Sequence, residues 1–263
     1  ERMIGILTFY WADDYGALLQ CYALKTYISQ FDNISVIPYY PKNLRSRYRL
    51  LKYSKSDKMI KKIRMVGHQL RTKEFYSRLA AKLRMAYFRR RFLTADFSKL
   101  DSARRIPTCR RGISVYIVGS DQVWNPEITE GLQEGYFCAF PKPKGARFIA
   151  YAASIGSERL DVAYDAMIAR YFENFDAVSV REGTSASYIE KVYSRKPETV
   201  VDPVFLLEKK DWEQLFKNKD LSKRHYIAVY DTEYNEEMPH YIASLREKLR
   251  YSEIQMQDCH EIS

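Results

Sequence analysis

The stretch SVYIVGSDQVWNP, residues 114–126, decides the fold class. Its β-forming run Ser114–Val118 ends in Gly119, Ser120 and Asp121, which reads as a strand opening into a polar tip. The same pattern recurs on both sides of it. Met3–Phe9 leads to Asp13, Asp14, Tyr15 and Gly16, and Arg147–Ala153 leads to Ser154, Ile155 and Gly156. Ala177–Val180 is followed at once by Arg181 and Glu182, and Glu198–Val201 by Asp202 and Pro203. Ser35–Tyr40 adds a further strand, stopped by Pro41. Between these runs the period changes. Ala17, Cys21, Leu24 and Ile28 recur at helical spacing, and Val162–Phe175 and Thr184–Val192 also read as helices. Strands alternating with helices predict an α/β protein built on an open parallel sheet.

Working outward, residues 1–207 form the predicted N-terminal domain, interrupted by a helical insertion at about 45–105. Within it Met59, Ile63, Val66 and Leu70 share one helical face, and Phe75, Leu79, Leu83 and Tyr87 form a stripe at steps of four. The charge of the chain is concentrated there. Lys42 to Arg111 holds 23 Lys and Arg against 4 Asp and Glu, whereas the whole chain carries a net charge of only +10. A basic block on an otherwise acidic protein suits nucleic acid, an anionic membrane surface or an anionic substrate. After Leu207, Glu208–Lys217 reads as a short helix and Lys217–Lys223 as a charged connection. Tyr226–Tyr230 then opens a fresh strand, and Met238, Ile242, Leu245 and Leu249 mark a helix. Residues 208–263 are thus expected to begin a second α/β domain that the sequence does not finish.

Other classes are disfavoured. With 46% hydrophobic and 14% aromatic residues among 263, the chain can bury a large core and is not a disordered one. No apolar run approaches the ~20 residues that span a bilayer. The N-terminal apolar run is broken by Asp13 and Asp14 and reads as a strand, not a signal peptide. Cys21, Cys109, Cys138 and Cys259 form no Cys-x-x-Cys pair, and Cys259-His260 is a weak ligand signal, so reduced thiols and no structural zinc site are expected, while the sequence leaves a need for a divalent metal open. His68, His225, His240 and His260 are scattered, and no catalytic triad can be built from them.

In an open α/β sheet, ligands bind beyond the carboxyl ends of the strands, so the residues of the strand exits are the site candidates. Asp121 is the leading acid/base candidate, with an Asx turn or helix cap as the structural alternative. Arg181 ends a buried-looking strand and needs either a bound anion or a carboxylate such as Asp202 or Asp176. Glu182 alternates to the other side of a strand and is not its expected partner. Gly16 opens a helix whose N-terminus suits an anion, or is simply a turn glycine. Trp124, beside Gln122 and Asn125, suits either a sugar platform or a core anchor. Neither a Gly-x-Gly-x-x-Gly nor a P-loop motif occurs, which disfavours nicotinamide cofactors and P-loop nucleotides.

Five segments in order resemble the polysaccharide pyruvyl transferase family over roughly residues 1–210. GILTFYWADDYGALLQCYALKTYI resembles its opening motif, with Asp14 in place of the usual Asn and with Tyr15, Gly16, Ala17, Gln20, Ala23 and Leu24 retained. VYIVGSDQVWNP, FIAYAASIG, AVSVREGTSASYI and TVVDPVFLL follow in the family's order. The resemblance implies two Rossmann-like domains arranged as in a GT-B glycosyltransferase, with the active site in the cleft between them. It implies transfer of pyruvate from phosphoenolpyruvate to a sugar diol as a ketal, in bacterial surface-polysaccharide synthesis. Phosphoenolpyruvate is then the donor substrate, and no other cofactor is expected.

On that reading Arg181 takes the donor anion and Asp121 transfers a proton or meets a sugar hydroxyl. Gly16 and Ser120 shape the pocket, and Gln122, Trp124 and Asn125 contact sugar or fix their loop. Tyr15, Gln20, Ser154, Glu182 and Asp202 are the remaining candidate substrate contacts. A glycan or lipid-linked saccharide is the implied acceptor, in the cytoplasm, with the basic block allowing peripheral contact at the inner face of the membrane; nucleic acid is not expected. The family's C-terminal Ser-Phe-His signature does not follow residue 210, which puts the completeness of the site in doubt. The alternatives are a GT-B sugar-nucleotide glycosyltransferase and a non-catalytic basic protein that binds membrane or nucleic acid.

Overall fold

The computed structural model describes residues 2–46, 50–51, 58–93, 100–108, 112–215, 225–230, 236–250 and 252–256. Cys109, Cys259, His260 and the connection expected at 217–223 lie outside the described residues. The chain divides into two compact units, Glu1–Leu207 and Glu208–Ser263.

The first unit is built on β1 (Met3–Leu7), α1 (Tyr15–Ile28), β2 (Asn33–Val36), β3 (Ile113–Gly119), β4 (Arg147–Ala153), β5 (Ala177–Val180) and β6 (Glu198–Thr199). These strands form one sheet of 6, in the order β2-β1-β3-β4-β5-β6, and every pairing is parallel. The fold is therefore α/β, as a Rossmann-like reading expects. From β1 the chain builds β2 on one side and β3 on the other. That reversal opens a crevice beyond the carboxyl ends of β1 and β3, where Leu7 pairs with Val118. Ile6, Leu24 and Ile117 form a buried cluster that seats α1 on the sheet, with Ile4, Ile28, Ile34 and Val115 packed around it.

Three strands end earlier than the sequence reading has them: β6 stops at Thr199 and not Val201, and β1 and β2 are also cut short. β2 covers Asn33–Val36, not Ser35–Tyr40. Beyond it Pro38 has no N–H to offer a ladder, and Tyr39 instead makes an isolated bridge to Leu100. Tyr39 and Tyr40 join a buried aromatic group in which Trp11 stacks on Tyr40 at 4.3 Å and donates from Nε1 to the Tyr136 hydroxyl at 3.1 Å. β1 ends at Leu7, because the chain turns there and Phe9 packs edge-on against Tyr136.

The insertion contains α2 (Met59–Gln69) and α3 (Lys73–Phe88), and α3 runs on into a wider turn, Arg89–Leu93. Thr72 caps α3 by accepting from Phe75 N. The basic side of α3 grips the loop after β1. Lys82 pairs with Asp13, and Arg89 donates to Asp13 at 2.9 Å and to the carbonyls of Trp11 and Ala12. Tyr22 of α1 meets Phe88 and Phe92 edge-on. The apolar stripes read from the sequence are not core. Met59, Ile63, Leu70, Leu83 and Tyr87 are exposed, while Met85 is buried.

The remaining helices are α4 (Pro126–Thr129), α5 (Asp165–Phe172), α6 (Gly183–Tyr193) and α7 (Lys209–Glu213). The segment expected as one helix from Val162 opens with a tighter 3-10 turn, Val162–Tyr164, capped by Asp161. The second unit holds β7 (Tyr226–Tyr230), α8 (Met238–Leu249) and β8 (Ser252–Met256), with β7 and β8 parallel. That is a single βαβ unit. Among the described residues no helix is long and apolar enough to cross a membrane.

Gly119, at the end of β3, has φ +144, and a Cβ placed there would lie 1.9 Å from the Tyr151 carbonyl oxygen of β4. Only glycine lets the two backbones approach so closely. Gly145 has φ +77 but open space around it. Urea unfolding is therefore expected to show Gly119→Ala destabilised by about 3 kcal/mol or more, and Gly145→Ala by about 1 kcal/mol. Equal losses would place the constraint at Gly119 in φ alone.

Candidate active site

The crevice is organised first by α1. Gln20 is buried, donates from Nε2 to Thr8 Oγ1 at 2.8 Å and to the Ala17 carbonyl at 2.9 Å, and accepts at Oε1 from Ser120 N at 3.3 Å. It is a strut between the exits of β1 and β3, and its amide is committed to protein. Asp14, where the resemblance expects Asn, still caps α1 by accepting from Ala17 N at 2.7 Å. Tyr15 and Gly16 follow it on the exposed first turn.

The second element is a network around Arg181. Its Nε donates to Glu182 Oε1 at 2.9 Å, and its Nη1 donates to Asp202 Oδ2 at 3.0 Å and to the Ser120 carbonyl at 3.4 Å. Ser120 Oγ donates to the same Asp202 oxygen at 3.1 Å, and Ser185 Oγ donates to Glu182 Oε2 at 3.2 Å. Burial works against the guanidinium charge, but the bonds to Glu182 and Asp202 outweigh it and hold the pKa above the ordinary arginine value. Of the two partners expected from sequence, Asp202 is engaged, while Asp176 pairs with Lys142. Glu182 is the correction. β5 ends at Val180, so strand alternation no longer governs Arg181 and Glu182, and Glu182 folds back from the N-cap of α6. Arg181 keeps 29% of its side chain exposed, and its Nη2 makes no hydrogen bond among the described residues.

Asp121 stands beside this network at the exit of β3. Its Oδ1 accepts from Gln122 N at 2.8 Å, and its carbonyl accepts from Ser154 N at 3.0 Å. Desolvation pushes its pKa up to about 7, with Asp14 and Asp202 adding repulsion that Arg181 only partly offsets. The group keeps partial solvent contact, so it can exchange a proton near neutrality.

The other candidates shape the loop. Ser154 is fully buried and accepts at Oγ from Gly156 N at 2.9 Å. Asn125 caps α4 and donates to Gln122 Oε1 at 2.9 Å, and the Gln122 amide presses so closely on Gly156 that a Cβ there would lie 2.1 Å from it. Trp124 is a core anchor, not a sugar platform. It has no exposure, stacks beside Phe137 at 5.7 Å, meets Phe172 edge-on at 4.9 Å and donates from Nε1 to the Tyr136 carbonyl at 2.8 Å. The sequence reading missed Thr8, which directly follows β1, and Ser185, at the capping-box distance from Glu182. It also missed Lys82 and Arg89, for which no local signal exists.

Among the described residues no cluster of three or more His, Cys, Asp or Glu could hold a metal. A cleft of about 380 Å³ lies along the β4–β5 face, lined by Tyr151, Val178, Ser179 and Tyr193. Another, of about 480 Å³, lies between Glu134 and Arg170. Neither includes Asp121, Arg181 or Asp202, which converge at the strand exits instead.

The family model for polysaccharide pyruvyl transferases matches residues 14–262. The chain belongs to the polysaccharide pyruvyl transferase family. The match begins at the Asp14 cap and takes in all the strand exits from β3 onward together with the second unit. No curated protein and no solved structure matches the chain. Family membership makes it a pyruvyltransferase with a polysaccharide acceptor.

The position of Asp121 has a consequence for stability. In the unfolded chain its carboxyl ionises near the ordinary 3.8; in the folded protein it does so at about 7. The folded state thus keeps the proton longer. This contribution is most favourable below pH 3.8, declines as pH rises through that window and stays low above about 7. Carried in full the effect would reach about 4 kcal/mol; partial exposure reduces it to about 1–3 kcal/mol. Asp121→Asn is expected to be more stable than the parent at pH 8 by that amount and to flatten the decline in urea titrations at several pH values. A parallel pH dependence in both proteins would return Asp121 to an ordinary pKa.

Proposed function

We propose that the chain transfers pyruvate from phosphoenolpyruvate to two hydroxyls of a surface-polysaccharide sugar, with Asp121 as the acid that protonates the enol. The observation that carries this reading is a half-buried carboxyl at the β1–β3 crevice whose pKa lies at about 7. A carboxylic acid held near neutrality both donates and recovers a proton at neutral pH.

The reaction balances as follows. C3 of the enol gains a proton and C2 becomes electrophilic. Two sugar oxygens form bonds to C2, the C2–O bond to phosphate breaks, and inorganic phosphate leaves. The hydroxyls release two protons; one restores Asp121 and the other goes to phosphate. Arg181 serves the donor. Glu182 and Asp202 hold its Nε and Nη1, which aims the remaining Nη2 edge at an incoming carboxylate or phosphate. Protonated Asp121 also lowers the negative charge that the trio of Asp14, Asp121 and Asp202 would otherwise turn toward an anionic donor. Ser120 and Ser154 are fully buried and hold the pocket floor, while Tyr15 and Gly16 are open to the acceptor side.

Two measurements test this. By calorimetry, Arg181→Ala should weaken phosphoenolpyruvate binding by about 10-fold or more, the loss of a charge-assisted contact; unchanged affinity would remove Arg181 from the donor site. In a phosphate-release assay with a glycan acceptor, Asp121→Asn should lower kcat by about 10²–10⁴-fold and leave donor binding intact. The parent's kcat should fall as pH rises through about 7, the value of Asp121, and a pH-independent rate would exclude it as the acid.

A further inference from the structure

We propose that α2 and α3 form a docking surface for an anionic phospholipid bilayer. This is independent of the chemistry at Asp121. Helices normally turn their apolar stripe inward, and here, although Val66, Phe75 and Leu79 are half-buried, the rest of it faces solvent. On α2, Met59, Ile60 and Ile63 are exposed, Ile60 by 78%. On α3, Tyr76, Leu83 and Tyr87 recur at helical spacing on one face and are exposed, Leu83 by 62%. The opposite face of α3 is the docked one, carrying buried Met85 and the Lys82 and Arg89 that hold Asp13.

Charge identifies the occupant. Between Lys58 and Leu93 stand 12 Lys and Arg and a single acidic residue, Glu74. Lys58, Arg64, Arg71, Lys73, Arg84 and Arg91 are all exposed around the apolar stripes. Aliphatic side chains flanked by cations, with tyrosines among them, match the boundary between anionic headgroups and acyl chains. Nucleic acid would use the cations but gain nothing from exposed Ile60, Ile63 and Leu83, which is why the bilayer is favoured.

The test is flotation of the full chain with vesicles of phosphatidylglycerol and phosphatidylcholine, against phosphatidylcholine alone, without substrate. Binding to the anionic vesicles only is expected, weakening as salt rises. Arg64→Glu with Arg84→Glu should lower vesicle affinity by about tenfold or more. Ile60→Ser with Leu83→Ser should lower it by a similar factor, with unchanged circular dichroism in both. Absence of flotation at low salt overturns the proposal. So does vesicle binding that the Ile60→Ser, Leu83→Ser pair leaves unchanged while duplex DNA binds as tightly, and so does a dimer in solution that this pair dissociates. Because no substrate is present, any of these outcomes leaves the pyruvyltransferase reading standing, and failed donor binding leaves this one standing.

Discussion

At the carboxyl end of the sheet, the guanidinium of Arg181 reaches from the exit of β5 to the Ser120 carbonyl after β3 and to Asp202 after β6, while its Nε is closed by Glu182. Three exits are thereby held in register by one planar group, and Ser120 Oγ shares the same Asp202 oxygen. The other oxygen of Asp202 accepts from Val204 N and caps the Pro203–Leu206 turn, which packs against α1. The partners are only partly buried, so losing the guanidinium would cost about 1–3 kcal/mol, below the loss for a fully enclosed pair. Its charge also lowers the pKa of Asp121, but desolvation, joined by repulsion from Asp14 and Asp202, outweighs that pull and raises the carboxyl to about 7.

The strand exits were legible in the sequence because their signal is local. A run such as Ser114–Val118 ending in Gly119 marks both the strand and the place where the chain must leave it. Parallel order also follows from strands and helices that alternate. Where the reading failed, packing between distant segments decided the outcome. Tyr39 and Tyr40 have the composition of a strand, but their rings are claimed by Trp11 and Tyr136. Trp124 looked equally suited to a sugar or to a core, and only Phe137 and Phe172, brought from other elements, decide between them.

The pairing of Arg181 with its neighbour Glu182 was hidden for a different reason. Alternation is a rule of paired strands, and the rule lapses one residue after Val180. The grip of Lys82 and Arg89 on Asp13 spans 69 and 76 residues of sequence. No period or motif announces a contact of that range; it had to be seen in three dimensions. The same holds for the pKa of Asp121, which depends on Asp14, Arg181 and Asp202 arriving together from separate elements.

The double grip on Asp13 also sets a length scale. It clamps α3 and the turn that continues it at Lys82 and Arg89, about two helical turns apart, so the helix lies as a fixed rail alongside the first loop of the sheet. Its outward stripe and its clamping side are separated by the thickness of the helix, about 10–12 Å. In a molecule resting on lipid through that stripe, the Asp13 loop would therefore be held roughly one helix diameter above the headgroups.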